Sequence, residues 1–268
     1  MVSQADPRPE GPATGAVVEG CYAGSLSDCG GVIEGEHFVS HRLLKVLGAG
    51  KPLKVRGIDP KDQERECLVS PRNLTARVLC SRHNRSLKPI DNAGNRFFET
   101  LASAGIWLED HPAGTEHRVA TSGHDLERWC LKALCGFIAR AGKPVPELWQ
   151  RILFGRCALL PPRGLYAYAE VGDEIAGKGV SLEEVRLVGS TSIGVVVRLL
   201  NHELVLSMSP GVPVTLTRQT NKSRMLRPGS IVLENGGNGS TRTIFLSWHD
   251  SLQHASIRTT WTARPNDG

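Results

Sequence analysis

From about residue 163 onward, short segments rich in β-branched and other apolar residues follow one another closely. They cover residues 165–170, 184–188, 194–200, 203–207, 214–217, 230–234, 242–248 and 256–262. Turn-forming residues separate them, including Pro210 with Gly211 and Pro228 with Gly229. Closely spaced strands joined by short turns predict an antiparallel sheet or a partly closed barrel. We therefore predict an antiparallel β domain over 161–268.

The middle of the chain, 106–160, predicts a helical segment. Its clearest helix covers 123–141, with a capping-box-like start at Ser122 and Asp125 and a stop at Gly142. Its apolar face, on which Cys130 is interpreted as a core residue, is formed by Leu126, Trp129, Cys130, Ala133, Leu134, Phe137 and Ile138. A shorter helix is predicted from a cap at Asp91 to about Ser103, with Phe97, Phe98 and Leu101 inward and Gly105 ending it. Another is predicted over 146–154, and a loop over 111–122.

Composition limits the class of protein. The chain has 268 residues, of which 40% are hydrophobic and 22% charged, so it can bury a core. Aromatic residues make up 5%, which argues against a base-stacking platform. No apolar stretch approaches about 18 residues, and the first residues lack an apolar core, so we expect neither a membrane span nor a secretory leader. Seven cysteines, an odd and low count, favour a reducing cytoplasm. Residues 1–18 are predicted to be a disordered lead-in.

Positive charge is concentrated in residues 41–90. Twelve Lys and Arg residues and four acidic residues give this segment +8, whereas the whole chain carries +5. Such a local excess suits a polyanionic partner, most simply nucleic acid, although a solvated basic loop would look the same in sequence.

Two pairs of cysteine and histidine residues have the chemistry of a zinc site. Cys80 and His83 form a tight C-x2-H pair, and Cys21 with Cys29 forms a wider second pair. Zinc prefers four sulfur or nitrogen ligands in a tetrahedron, usually two pairs on separate turns. Cys67 is an alternative to Cys21. Chance placement of core cysteines remains the competing interpretation.

Between the two pairs lies the dipeptide Glu36-His37. Adjacent side chains point to opposite faces of an extended backbone, but they converge if the chain turns there. One of them would then bind a divalent ion and the other would act on water. An acid next to a histidine is also common by chance.

In this order the residues resemble the HNH endonuclease family, which has a zinc-supported ββα-metal fold. The resemblance rests on Cys21 and Cys29, on Glu36-His37, on Asn73-Leu74, and on Cys80-x-x-His83-Asn84, within about residues 19–100. The chain departs from the family in the long gap between His37 and Asn73 and in having Asn84 at the last catalytic position.

The resemblance implies roles for these residues. His37 would be the general base for a water attacking the scissile phosphate, and Asn73 would orient it. Glu36 and Asn84 would hold a catalytic Mg²⁺ or Mn²⁺ ion, while Cys21, Cys29, Cys80 and His83 would hold one structural zinc. The candidate nucleic-acid contacts are Arg77, Arg82, Arg85 and Lys88.

We therefore expect an α+β protein with an HNH-like module at 19–105, followed by the helical segment and the β domain. The expected function is metal-dependent cleavage of phosphodiester bonds, in DNA rather than RNA, and a role in bacterial or antiviral defence or in a mobile element is consistent with it. Two alternatives stay open: a non-catalytic, zinc-stabilised nucleic-acid-binding module, and a scaffold that docks a protein partner through its β domain.

Overall fold

Helices fill the middle of the chain, between strands near the N-terminus and a larger group of strands that follows. The computed structural model describes residues 3–37, 39–40, 42, 44, 53–55, 67–70, 75–169, 180–186, 192–199, 202–209, 223–250 and 254–261. The protein is a mixed α+β structure with several antiparallel sheets, as the sequence predicted.

The N-terminal part contains two pairs of antiparallel strands and three helices. After a short 3-10 helix at Gly24–Leu26, the elements are β1 (Ile33–Glu36), β2 (Leu53–Val55), β3 (Cys67–Val69), β4 (Ala76–Cys80), α1 (Ser81–Ser86), α2 (Lys88–Ala102) and α3 (Ala104–Asp110). β1 pairs with β4, and β2 pairs with β3. The β2–β3 pair thus lies inside the long segment between His37 and Asn73.

The remaining elements form the two larger sheets and the central helix. They are β5 (Glu116–Ser122), α4 (Gly123–Arg140), α5 (Glu147–Leu153), β6 (Gly164–Ala169), β7 (Val180–Arg186), β8 (Ser192–Leu199), β9 (His202–Ser207), β10 (Ser223–Leu226), β11 (Ser230–Asn235), β12 (Thr241–Ser247) and β13 (Ser256–Trp261). One sheet has the order β10-β6-β9-β8-β7 and is antiparallel throughout. The predicted strand at 214–217 lies outside the described residues.

The second sheet, β13-β11-β12-β5, differs from the purely antiparallel domain expected over 161–268. β11 pairs with β13 in parallel, and β12 pairs in parallel with β5, which comes from the segment predicted as a loop. This sheet therefore includes a strand that precedes the expected domain boundary at residue 160. Sequence patterns failed here because the partner of β5 lies more than a hundred residues further along the chain.

The central helix α4 connects these parts. It begins as predicted, because the side chain of Ser122 accepts a hydrogen bond from the backbone N–H of Asp125 at 3.2 Å. α4 packs against α2, α5 and β4, and also against β8, β9 and β12 of the two larger sheets. Its Trp129 is fully buried with its ring 4.8 Å from that of Phe98. One continuous apolar core runs from Cys21 to Ile257 as a result.

A buried ion pair also ties α4 to the strands. Arg227 is 2% exposed, and its Nε and Nη2 atoms lie 2.9 and 3.0 Å from the two carboxylate oxygens of Glu127. Asp250 accepts a further hydrogen bond from Nη1 at 2.6 Å. Such two-point pairing fixes geometry, and removing either partner would leave a buried charge. In sequence, Arg227 belongs to a basic run with Arg218, Lys222 and Arg224 that favours a solvated hairpin over a nucleic-acid contact; for Arg227 the structure shows that this interpretation is wrong.

Two boundaries near the site also differ from the prediction. α2 begins at Lys88 with Pro89 in its first turn, rather than with Asp91 as a cap. Gly105 does not end the helical region, because α3 follows α2 directly. The expected inward residues of α2, Phe97, Phe98 and Leu101, are buried.

The N-terminal segment differs from the disordered lead-in expected at 1–18. Residues 3–18 form no helix or strand, yet they are hydrogen-bonded to the body of the protein. The backbone N–H of Ala5 donates to Asp125, and the carbonyl of Ala16 accepts from the N–H of Cys29, both at 2.9 Å. Arg82 donates to the backbone carbonyl oxygen of Glu10 at 2.7 Å. These contacts hold the segment against the turn that carries Cys29.

Candidate metal centre and the residues around it

The structure brings together the four residues predicted to bind zinc. The ligand atoms of Cys21, Cys29, Cys80 and His83 all lie within 4.8 Å of one another. The Nδ1 atom of His83 is 3.6 Å from the sulfur of Cys21, 3.7 Å from that of Cys29 and 3.3 Å from that of Cys80. Of the two alternatives left open by the sequence, the cluster contains Cys21; the side chain of Cys67, in β3, lies outside the described residues.

The local fold explains why these residues meet. Cys80 ends β4, and α1 begins at the next residue, so His83 returns one turn later beside Cys80. Cys21 and Cys29 flank the short 3-10 helix on the opposite segment. Two backbone amides donate to the sulfurs at 3.4 Å: that of Cys80 to Cys21, and that of Gly30 to Cys80.

A glycine lets the two segments approach. Gly31 has φ +73°, and a Cβ atom there would collide with the side chain of Ser81 at the start of α1. The backbone N–H of Ser81 donates to the carbonyl of Val32 at 2.8 Å, and that of Arg82 donates to Gly30 at 3.1 Å. The turn that carries Cys29 is thereby fixed against the first turn of α1.

The donor set fits a tetrahedral metal such as zinc. With zinc about 2.3 Å from sulfur and about 2.0–2.1 Å from nitrogen, a sulfur–nitrogen edge of the tetrahedron is about 3.6 Å, close to the three distances found here. All four side chains are buried. Burial raises the pKa of the Cys21 thiol to about 12 and lowers that of His83 to about 4, so His83 is a neutral imidazole. The described cysteines form no disulfide, and a bound cation would stabilise the thiolates.

Beside this centre, Glu36 has a partner that the sequence did not indicate. It is 4% exposed, and its carboxylate forms an ion pair with the ammonium of Lys132 on α4, itself 1% exposed. Asp91 on α2 accepts from the same ammonium at 2.6 and 2.7 Å, and the backbone carbonyl of His37 accepts at 3.0 Å. Lys132 thus joins β1 and α2 to the central helix.

The charges of this group are set by burial and by each other. Burial raises the pKa of Glu36 to about 7, although Lys132 acts in the opposite direction. Burial alone would lower the pKa of Lys132, but Asp91 and Glu36 outweigh it and raise the pKa. The ammonium is therefore charged at neutral pH and is the cation that Glu36 contacts.

Asn84 contacts a different acidic residue from the one expected. Its Nδ2 donates to the Oε2 of Glu34 at 3.1 Å. Among the residues described, Glu36 and Asn84 make no hydrogen bond with each other, although the sequence predicted that they share an ion. His37 directly follows β1 and is partly buried. Asn73, the predicted orienting residue, lies outside the described residues.

The four predicted nucleic-acid contacts have different environments. Arg85 and Lys88 are exposed on α1 and at the start of α2, and Arg77 is exposed with one hydrogen bond to the carbonyl of Ile33 at 3.1 Å. Arg82 instead donates to Asp28 at 3.0 Å and to the carbonyls of Glu10 and Pro12, with 19% of its side chain exposed. The guanidinium group of Arg82 is therefore hydrogen-bonded to other groups of the protein.

Sequence reasoning missed Glu34 and Lys132. The signal for Glu34 was its position two residues before Glu36, although the β1–β4 register shifts between Glu34 and Gly35 and so breaks the alternation that would put both on one face of β1. The signal for Lys132 was a lysine in a helix that buries nearly every neighbour, including Leu131 and Ala133. A lysine so placed needs carboxylate partners, although the sequence does not say which.

Comparison with known proteins gives no further assignment: no family model, curated protein or solved structure matches the chain. Within the described part of the chain, no helix has the length and apolar character needed to cross a membrane.

Proposed function

We propose that this protein is a metal-dependent endonuclease of the HNH type that cleaves phosphodiester bonds in DNA. The observation that carries the proposal is the clustering of Cys21, Cys29, Cys80 and His83 at the junction of β4 and α1. This junction puts Asn84 one residue after a metal ligand, and β1, which ends immediately before His37, pairs with β4. The order of strand, strand and helix is that of the ββα-metal module that the resemblance implies.

In the proposed reaction, His37 accepts a proton from the attacking water as the new oxygen–phosphorus bond forms. The bond from phosphorus to the leaving oxygen of the sugar breaks, and that oxygen takes a proton from solvent. An imidazole with a pKa near 6.5 suits this role at neutral pH. Asn73 orients that ring. The cluster at β4 and α1 keeps Asn84 and His37 in a fixed relation without needing a large local core.

We propose that the ligands of the divalent ion are Glu34 and Asn84 rather than Glu36 and Asn84. The Glu34 carboxylate already touches the Asn84 side chain, and two oxygen ligands are enough for Mg²⁺, which keeps several of its waters. Glu36 fits less well because the ammonium of Lys132 neutralises it. When bound, the ion would stabilise the charge that develops on the phosphate.

The binding surface of the proposed enzyme would include Arg85, Lys88 and Arg77, which are exposed beside the cluster. Arg82 has its hydrogen-bonding capacity used within the protein and would act by holding the turn at Asp28. Contacts with phosphates release counterions, so DNA binding should weaken steeply as salt rises. A flat salt response would argue against this surface.

The test is cleavage of supercoiled plasmid DNA by the purified full-length protein with Mg²⁺, Mn²⁺ or Ni²⁺. We expect cutting that depends on the divalent ion and falls at least about 100-fold in His37→Ala and Asn84→Ala. His249→Ala, a change at an exposed histidine, is the control and should cut normally. Thermal unfolding and DNA affinity are measured for every variant, so that loss of folding is not taken for loss of chemistry.

One observation favours a second candidate, a zinc-stabilised DNA-binding module without catalysis. Glu36, the acidic residue of the Glu36-His37 dipeptide, forms an ion pair with Lys132. A site that has lost its catalytic metal ion would have its acidic residue paired in this way. The same experiment separates the two functions. If the protein binds DNA and never cuts it with any of the three ions, the binding module is the correct assignment.

A further inference from the structure

A groove between α2 and the strands β5 and β12 contains a buried arginine that forms no ion pair within the described part of the chain. We call it the Arg242 groove; it has a volume of about 240 Å³ and its polar lining comprises Arg96, Glu99, Thr100, Ser103, Thr121 and Arg242. Phe97 and Ile244 supply apolar walls. The groove is formed by different elements from those that hold the metal cluster.

Arg242 differs from the other buried cations of the protein. Three Lys or Arg side chains are buried among the described residues: Lys132, Arg227 and Arg242. Lys132 binds two carboxylates, and so does Arg227. Arg242, 8% exposed, forms no ion pair with any described residue. A buried charge without a counter-ion is costly, so a bound anion would stabilise Arg242.

The hydrogen bonds of Arg242 are also incomplete. Nη1 donates to the hydroxyl of Ser103 at 3.0 Å, but Nε is buried and has no acceptor within the described part of the chain. The guanidinium lies 5.8 Å from the ring of Trp107, which is not an anion. Unused N–H groups at the wall of a groove are suited to receive oxygens from a ligand.

The rest of the lining suits an anion as well. Arg96 is exposed at the mouth, and within the described structure it has no carboxylate partner. Glu99, the one acidic residue of the lining, is held by Arg42 through contacts of 2.6 and 2.9 Å. The hydroxyls of Thr100 and Ser103 already donate to the backbone carbonyls of Arg96 and Thr100, at 2.7 and 3.3 Å, whereas the Thr121 hydroxyl donates to no described residue. Two guanidinium groups present more N–H donors than the two oxygens of a carboxylate can accept, and a phosphate group, as a monoester or a diester, offers further oxygens.

We propose that the Arg242 groove binds a phosphate group, with Arg242 as the buried anchor and Arg96 as the second cation. The groove is smaller than the pockets of about 300–1,000 Å³ that enclose whole organic ligands. It therefore takes the phosphate and leaves most of an attached group outside. Inorganic phosphate, a mononucleotide and a DNA strand all present this chemistry. The proposal does not depend on nuclease activity.

The experiment measures binding by calorimetry and by thermal shift on the full-length protein at constant ionic strength, with inorganic phosphate, deoxyadenosine monophosphate and a single-stranded oligonucleotide as probes. We expect binding of at least one probe, weakened about tenfold or more by Arg242→Met and several-fold by Arg96→Gln. Arg118→Gln is the matched control, because Arg118 is exposed on β5 outside the groove and pairs with Glu116.

The pattern of stability distinguishes a ligand site from a structural arginine. We expect Arg242→Met to melt no lower than the wild type without ligand, because it removes an unpaired buried charge, and to lose the phosphate-induced shift. Should Arg242→Met fail to fold, Arg96→Gln, at an exposed site, carries the test. If no probe binds the wild-type protein at about 10 mM, or if both variants bind as the wild type does, the proposal is wrong.

The three probes identify the source of the phosphate. Loss of affinity for the oligonucleotide in both variants would mean that the groove holds a strand of nucleic acid. Loss for the mononucleotide or inorganic phosphate alone would mean a small ligand. Both results support the proposal, and a cleavage-deficient His37→Ala protein should give the same affinities as the wild type.

Discussion

Asn84 donates a hydrogen bond to Glu34 at 3.1 Å, while Glu36, on the same strand, is buried against Lys132. The two acidic residues are therefore in different states, although they lie two positions apart. Glu34 is half-buried and faces the first helix after the metal cluster, whereas Glu36 has a cation of the protein itself as its partner. The difference decides which of them is available to an added divalent ion.

The first prediction separates the roles of these two residues. Glu34→Gln should lower divalent-dependent DNA cleavage at least about 100-fold with little change in stability, because it removes a charged oxygen ligand at a partly exposed position. Glu36→Gln should instead destabilise the protein by about 1–3 kcal/mol, because Lys132 loses one of its two carboxylates. Plasmid cleavage and urea unfolding are measured on both. If Glu34→Gln cut DNA normally and a folded Glu36→Gln protein did not, Glu36 rather than Glu34 would be the ligand of the divalent ion.

The second prediction concerns the metal. Purified wild-type protein should contain about one zinc per chain. Cys80→Ser should lose the metal and lower the midpoint of thermal unfolding by about 10 °C or more, because the four ligands join two segments far apart in sequence. Cys157→Ser is the control: Cys157 is outside the cluster and partly exposed, so zinc content should not change. Elemental analysis and thermal unfolding give the answer; a zinc-free wild-type protein that folds normally would rule out the metal site.

Local patterns were sufficient to predict the metal cluster and the central helix. Cys80 and His83 lie on one turn whose geometry follows from their spacing, and the capped start of α4 at Ser122 follows from side-chain chemistry over a few residues. Joining Cys21 and Cys29 to them needed only the preference of zinc for four ligands. In such cases the interaction is local, or its chemistry permits few partners.

The interactions that the sequence did not reveal connect distant segments. The parallel pairing of β5 with β12, and the contacts of Lys132 with Glu36 and Asp91, depend on which surfaces pack together. A carboxylate has the same sequence signature whether it binds a lysine or a metal ion. For this reason Glu36 was given the role of a metal ligand, and its neighbour Glu34 was not considered.

The third prediction tests the importance of Lys132. Lys132→Met should destabilise the protein by about 3 kcal/mol, because the buried Glu36 and the partly buried Asp91 would both lose their cation. The free energy of unfolding is measured in urea. Lys143→Met, at an exposed position shortly after α4, should change it by no more than about 0.5 kcal/mol. Equal effects of the two substitutions would show that the buried ion pairs contribute little.

The last prediction concerns acid sensitivity through His202. This side chain in β9 is 3% exposed, and burial lowers its pKa from 6.5 to about 4. The unfolded chain therefore binds a proton between these two values when the folded protein does not. The stability contribution of the neutral ring is complete above pH 6.5 and is lost as the pH falls toward 4, amounting to about 3 kcal/mol at most.

His202→Phe has no titrating group at this position, so its unfolding free energy should fall less than that of the wild type between pH 7.5 and 4.5. Other groups titrate in the same range, and the difference between the two proteins isolates the histidine. His249→Asn, at an exposed histidine, should follow the wild-type curve. If the unfolding free energies of the wild type and His202→Phe changed in parallel with pH, the His202 ring would be protonated as easily in the folded protein as in the unfolded chain. That result would contradict its burial in β9 of the five-stranded sheet.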